Sequence, residues 1–403
     1  RLFRISYQKA IQKTNAITYQ AIQFFIEQLN TIHSKTGAQI SKTSINLGTD
    51  TTPEGRMIIK NVLEVLKQQA ENHTIYNYPI VIFKVKEGIN TKKGEPNYDL
   101  LELACETCYR GAHIHFSFLD ASFNKKYYQK GMHQTEVAYM NCYVRILENM
   151  VDSNKSISEG RGSLTCTSIN LPRMGIKHGI ISNPKVNLKA FFTELEEKLD
   201  LVKDQLLERF EVQCKKKSFH FPFLLGQGVW MDSEKLKDTD NLKKVLKQGN
   251  LNIGFIGLEE CLKALTGKYQ EESEEAHKLG IKIVKFMREK CDEYSKKYNL
   301  NFTLIGTSEE LLVGKFIKLD QAIYGKLNGI TDKENYTNSF HVQPKAKISA
   351  TRKIDLEAPY HTLTNGGHIT IVEENGNSSD YLKMIQMMQK AQIGYATIKN
   401  REG

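Results

Sequence analysis

The stretch FTLIGTSEELLVGKF, residues 302–316, decides the fold class. It opens on a short apolar run suited to a strand, passes through the small residues Gly306, Thr307 and Ser308, and continues as a helical pattern. A strand that turns directly into a helix is the unit from which parallel sheets are built, because parallel neighbours need a crossover between them. Such a turn exposes backbone N–H groups at the positive end of a helix, where phosphate is stabilised, and Thr307 and Ser308 can add hydroxyl donors. Ser308 serves equally well as a plain N-cap, so the pattern leaves both readings open.

The same alternation extends outward in both directions. Strand patterns at 80–85, 113–118, 137–146, 164–171, 252–256 and 368–372 lie between helical patterns at 6–29, 53–72, 97–109, 187–214, 258–265, 271–298 and 379–392. In the 187–214 pattern Asn187 is placed to cap, while Leu188, Phe191, Leu195, Leu199, Val202, Leu206 and Phe210 recur at three- and four-residue steps. The expectation is an α/β architecture with largely parallel strands, either open sheet or barrel. No internal repeat is evident, the polar interval 152–159 reads as a surface loop, and one catalytic-type domain is the simplest partition.

With 403 residues, 40% of them hydrophobic, the chain can bury a large core. No run of about 18 apolar residues appears, and the first residues lack the apolar centre of a signal peptide, so a soluble, cytoplasmic protein is expected. Seven scattered cysteines argue for free thiols in a reducing compartment. The formal charge of +10 is spread along helical segments, which favours a solvated basic surface or a site for anionic small molecules over direct nucleic-acid binding.

Four stretches are able to carry chemistry. Cys105 and Cys108 form a C-x-x-C ahead of His113 and His115; zinc is conceivable, but two helix-face cysteines are the better reading. Asn365-Gly366-Gly367-His368 precedes a strand, where paired glycines allow a close backbone approach to a ligand or make an ordinary turn. SINLGTDTTPEGRM, residues 44–57, places small polar residues ahead of a helix start at Pro53. Cys142, in VAYMNCYVRI, has no adjacent base to activate a thiolate, so on chemistry alone it reads as a buried strand cysteine.

Together, GAQISKTSINLGTDTTPEGRM, GEPNYDLLELA, FSFLDASFNKKYY, EVAYMNC, GRGSLTCTSINLPR, GFIGLEECLKALTG, YTNSFHV, EAPYHTLTNGGHIT and IGYATIKN span almost the entire chain. In that order they resemble the anaerobic (class III) ribonucleoside-triphosphate reductases, a glycyl-radical enzyme family. The resemblance implies a ten-stranded α/β barrel over residues 1–403, with a central loop whose cysteine becomes a thiyl radical and takes hydrogen from the ribose of a bound nucleotide. It implies Cys142, Met140 and Ser163 as catalytic positions. Asn46, Gly306, Thr307, Ser308, Glu309, Asn365, Gly366, Gly367 and His368 are implied as substrate-binding. Hydrogen-atom transfer needs a thiol held in a water-poor site rather than a base, which accounts for the surroundings of Cys142.

The resemblance further implies a glycyl radical installed by a radical-SAM activating enzyme, zinc in a C-terminal segment, and formate or a dithiol as reductant. Ribonucleoside triphosphates are the implied substrates, dNTP and ATP the effectors, and a homodimer the assembly. The regulatory region and the glycyl-radical and zinc segment of the family have no counterpart in these residues, so the chain is expected to be truncated at both ends. Three positions depart from the family's pattern: Asn141 stands for glycine, Tyr143 for arginine and Ser163 for asparagine. A catalytically impaired nucleotide-binding or assembly homologue is the second reading, and a basic nucleic-acid-binding protein, resting on charge alone, the third.

Overall fold

The computed structural model describes all residues except 1, 33–39, 41, 75, 141–142, 183–184, 238, 307–309 and 401–403. Its strands are β1 Ser44–Leu47, β2 Ile80–Val85, β3 Ile114–Phe118, β4 Ala138–Met140, β5 Val144–Ile146, β6 Ser163–Asn170, β7 Asn250–Ile256, β8 Asn301–Gly306, β9 Thr370–Glu374 and β10 Tyr395–Asn400. The chain divides into two compact units, one of residues 1–125, 139–142 and 370–403, the other of residues 126–138 and 143–369. The expected α/β class is borne out, and among the described residues the strands hydrogen-bond as separate sheets.

In the first unit a five-stranded sheet runs β1-β2-β3-β10-β9, parallel except where β10 meets β3. The stretch following β1 turns sharply because Gly48, at φ +122°, lies where a Cβ would come within 2.9 Å of the Lys84 carbonyl oxygen. Two buried asparagines tie that turn down. Asn90 Nδ2 donates to the carbonyls of Gly48 and Lys84, at 3.1 and 2.9 Å, and Asn97 Nδ2 to those of Gly48 and Asp50, at 3.0 and 2.8 Å. Thr52 then caps the helix Pro53–Glu71 by accepting from the Gly55 N–H at 3.1 Å.

In the second unit β6, β7 and β8 form a wholly parallel sheet. All seven residues of β7 are buried, as expected of a parallel strand covered on both faces. The crossover after β6 contains the helix Leu188–Cys214, capped as expected by Asn187, whose side chain accepts from the Ala190 N–H at 3.0 Å. Its stripe from Phe191 to Phe210 joins the core with Ile253, Phe255, Phe302 and Leu304. The SINLPR stretch is equally structural: Asn170 caps the helix Leu171–His178, and Asn170, Arg173 and Tyr336 converge on the fully buried Asp320 at 2.6–2.8 Å.

The expected single strand at 137–146 is two short strands, β4 and β5, with Asn141 and Cys142 between them outside the described residues. The expected helix at 271–298 begins at Glu274, because the Ser273 hydroxyl accepts from the Ala276 N–H at 3.3 Å and sets the first turn there. Leu206 is completely buried and Leu201 is 64% exposed on the same helix. Leu206→Ala should therefore cost about 2–5 kcal/mol in chemical denaturation, and Leu201→Ala within about 0.5 kcal/mol.

Candidate functional site

In the second unit, the helix Ala350–Leu363 runs out into Asn365-Gly366-Gly367-His368, which lies against the end of β8 and against residues 143–145. The Gly366 N–H donates to the Leu304 carbonyl at 2.8 Å, the Gly306 N–H to the Gly367 carbonyl at 2.9 Å, and the Arg145 N–H to the Gly366 carbonyl at 2.9 Å. Both glycines are points of close approach, Gly366 to a side chain and Gly367 to backbone. A Cβ on Gly366 would sit 2.6 Å from Thr303 Oγ1, and one on Gly367, at φ +143°, would sit 2.1 Å from the Tyr143 carbonyl oxygen.

Behind this loop lies a buried charge cluster. Glu148, 8% exposed, accepts from Asn365 Nδ2 at 2.8 Å and faces Arg288 at 3.3 Å, with Arg145 and Lys126 each at 3.8 Å. Burial alone would raise its carboxyl, but Arg145 and Arg288 outweigh that and hold it below the usual carboxylate range. Arg145, 1% exposed, also donates to the Asn365 carbonyl at 3.1 Å. Arg161, from the GRGS stretch, donates to the carbonyls of Leu147, Glu148, Ile157 and Gln248 at 2.8–3.1 Å, and burial pushes its guanidinium down to about 10. It fastens backbone.

Ser163 is exposed at the start of β6, and its hydroxyl accepts from Asn252 Nδ2 at 2.6 Å. Asn252 Oδ1 in turn accepts from Thr303 Oγ1 at 2.5 Å, beside Gly366. Ser163, Asn252 and Thr303 thus form one hydrogen-bonded row that packs beside Gly366, while Leu304 and Gly306 bond to the same loop, although these residues are remote in sequence.

His368 is fully enclosed, its Nδ1–H donating to the Thr364 carbonyl at 2.9 Å and its ring 4.3 Å from that of His361. Burial drives both rings to the neutral form: His361 is pushed down to about 3 and His368 well below its ordinary value. Glu357 nearby is held below the usual range against its own burial by Lys353 and by His341, 3.4 Å away. A neutral, enclosed His368 braces the loop and offers no charge to a phosphate.

In the first unit, Asn46 grips the Tyr139 backbone, donating to its carbonyl at 3.1 Å and accepting from its N–H at 3.3 Å. Tyr139 stacks on Tyr395 at 4.1 Å, and Met140 is 36% exposed. Asn46 also lines a cavity of about 420 Å³ with Gly48, Asp50, Lys84 and apolar residues that include Phe25 and Ile58. Cys142, Thr307, Ser308 and Glu309 lie outside the described residues. Cys105 and Cys108 are buried on the helix Tyr98–Tyr109, where burial raises both thiols, Cys108 to about 12. Among the described residues no group of three or more His, Cys, Asp or Glu is arranged to hold a metal ion.

Sequence reasoning passed over Arg145, Glu148, Asn252, Arg288 and Thr303. One signal was legible: VRILEN sets two charges within an apolar run, and a charge that follows a buried strand must find a partner.

Parallel strand ends, a glycine-containing loop and a buried arginine–carboxylate cluster thus lie together in an α/β protein. The model of the family "Anaerobic ribonucleoside-triphosphate reductase" matches residues 3–401, and the chain belongs to that family. It is 30% identical over 364 residues to the anaerobic ribonucleoside-triphosphate reductase of Salmonella typhimurium, covering 89% of this chain and 49% of that protein. It spans about half the length of the curated relatives it matches. The fold is similar to that of the Thermotoga maritima anaerobic ribonucleotide reductase in complex with dATP and CTP, with a TM-score of 0.67, 15% identity, and 97% and 62% of the two chains covered. It is also similar to that of a glycyl radical enzyme from Archaeoglobus fulgidus, with a TM-score of 0.56, 13% identity, and 89% and 51% covered.

Two outcomes follow from this geometry. Gly367→Ala should destabilise the protein by roughly 1–3 kcal/mol or more, since strain and a backbone clash coincide there. Gly88→Ala, at φ +80° with nothing within 4 Å, should cost less in the same denaturation assay. His361 and His368 bind protons more readily when unfolded, near pH 6.5. For His361 stability is therefore complete above that pH and falls towards pH 3, by roughly 1.4 kcal/mol per pH unit, and His368 acts in the same direction. Denaturation curves at pH 7 and 5 should show His361→Gln shrinking the loss by about 2 kcal/mol.

Proposed function

We propose that this chain is the part of an anaerobic ribonucleoside-triphosphate reductase that holds the nucleotide and presents the Cys142 thiol to its ribose. The observation that carries the reading is the family match over residues 3–401; in the sequence Cys142 shortly precedes Val144 and Arg145, which pair with the Gly366–Gly367 loop. Glycyl-radical chemistry supplies the oxidised thiol when the assembled enzyme is activated, and a radical-SAM enzyme, zinc and formate or a dithiol are the proposed accessories.

Each of the chain's own residues has a definite task in this reading. Cys142 takes the ribose hydrogen, and Met140 and Ser163 are the other proposed catalytic positions, the Ser163 hydroxyl being held by Asn252. The Gly306 N–H is already spent on Gly367, so phosphate contact falls to Thr307, Ser308 and Glu309 ahead of the helix Glu310–Tyr324. Asn46 acts on the site through its hold on Tyr139, one residue before Met140. Ribonucleoside triphosphates are the substrates, dNTP and ATP the effectors, and a homodimer the working assembly, in the cytoplasm.

Asn141, Tyr143 and Ser163 favour a second reading, a homologue that binds nucleotide or assembles with a partner without turnover. One experiment separates them. In the full-length protein with its activating enzyme, deoxyribonucleotide formation should be present and should fall to background in Cys142→Ala, with nucleotide affinity kept within about threefold. Turnover that survives Cys142→Ala refutes the radical role. Nucleotide binding without turnover in the unsubstituted protein establishes the second reading.

A further inference from the structure

We infer that the second unit carries a binding pocket for a small phosphate-bearing anion, formed by the turn Ser153–Lys155, the turn Ser233–Lys235 and the helix Lys243–Leu246. Its lining includes none of the catalytic or substrate positions proposed above, and the inference does not depend on the reductase reading.

The pocket has a volume of about 270 Å³, and Lys155, Lys235, Lys244 and Lys247 line it against two carboxylates, Asp152 and Asp232. The carboxylates are already engaged. Lys155 Nζ lies 2.6 Å from Asp232 and 3.9 Å from Asp152, and Lys235 Nζ lies 2.5 Å from the other oxygen of Asp232. Lys244 and Lys247 have no ion-pair partner among the described residues. They stand three positions apart, in the helix Lys243–Leu246 and directly after it, where side chains share a face and like charges are unfavourable until an anion joins them.

A further donor lies beside the lysines. Gln248 is 3% exposed and lines the same pocket. Its Oε1 accepts from Asn149 Nδ2 at 2.8 Å, while its Nε2 has no acceptor among the described residues. An amide N–H so nearly enclosed is costly to leave unpaired, and an acceptor oxygen in the pocket removes that cost.

Chemistry and size together select the ligand class. Two uncommitted ammonium groups and an amide donor in a concave wall suit a compact, oxygen-rich polyanion, since lysine binds phosphate as a point charge and concavity concentrates the field. The volume is below the roughly 300–1,000 Å³ usual for small-molecule sites, which favours one or two phosphate groups over a whole nucleotide. The occupant is therefore a free diphosphate or the diphosphate end of a nucleotide.

The test titrates the full-length protein with pyrophosphate by calorimetry in 0.15 M NaCl. The unsubstituted protein should bind with a Kd below about 1 mM, and Lys244→Gln combined with Lys247→Gln should weaken binding about tenfold or more. Lys243→Gln removes a neighbouring charge that lies outside the pocket and pairs with Glu211 at 2.7 Å, and should leave Kd within about twofold. Pyrophosphate should also raise the melting temperature of the unsubstituted protein more than that of the double variant. A Kd above about 1 mM overturns the inference. So does a loss in the double variant no greater than that in Lys243→Gln, which marks general attraction to a basic surface or binding elsewhere. ADP that competes with pyrophosphate identifies a nucleotide-borne diphosphate, and ADP that does not identifies the free anion; either result supports the pocket. The assay needs no turnover, so the reductase reading and this inference stand or fall separately.

Discussion

Glu148 must remain charged inside the protein, and much of the second unit's arrangement follows from that demand. An ionised carboxylate in a low-dielectric interior is tolerated when cations and hydrogen-bond donors replace the water it has lost. Here the replacements come from four separate places: Arg145 just before it, Arg288 on a long helix, Lys126 upstream and Asn365 in a distant loop. Their mutual distances fix where β5 ends and where the loop after Leu363 begins. Arg161 adds a neutralising charge whose donors go to carbonyls of the same region.

Shape complements charge. Gly366 and Gly367 are flat enough to lie between Thr303 and the Tyr143 carbonyl, and this brings Glu148 within reach of Asn365. The histidines beyond are packed as neutral rings, so their burial escapes the cost of a second set of enclosed cations. The loop therefore carries no charge of its own at His368.

The α/β class, the core stripe of the helix Leu188–Cys214 and the Asn187 cap were legible because each is a local periodicity or a local hydrogen bond. β1 escaped because four half-buried residues carry too short a pattern and run into polar residues. The helix Ala350–Leu363 escaped because it carries Pro359 in its interior, a residue that ordinarily argues against helix. The glycines of the NGGH loop were recognised as points of close approach, and the groups that approach them here are the Thr303 side chain and the Tyr143 carbonyl. Arg145 and Glu148 were visible as charges near an apolar strand, yet their partners Arg288 and Asn365 lie 140 to 220 residues away.

The sequence by itself determined the alternation of strands and helices, the core faces, several caps and, through an ordered set of short motifs, the family and the cysteine to examine. Those features depend on neighbours within a few residues, or on a pattern kept along the chain. Tertiary structure decided that Ser163, Asn252 and Thr303 share one row beside Gly366, that His368 is an enclosed brace, and that Glu148 serves two elements at once. Such pairings are set by burial and by hydrogen-bond direction in three dimensions, and a buried charge selects its partner by position in space.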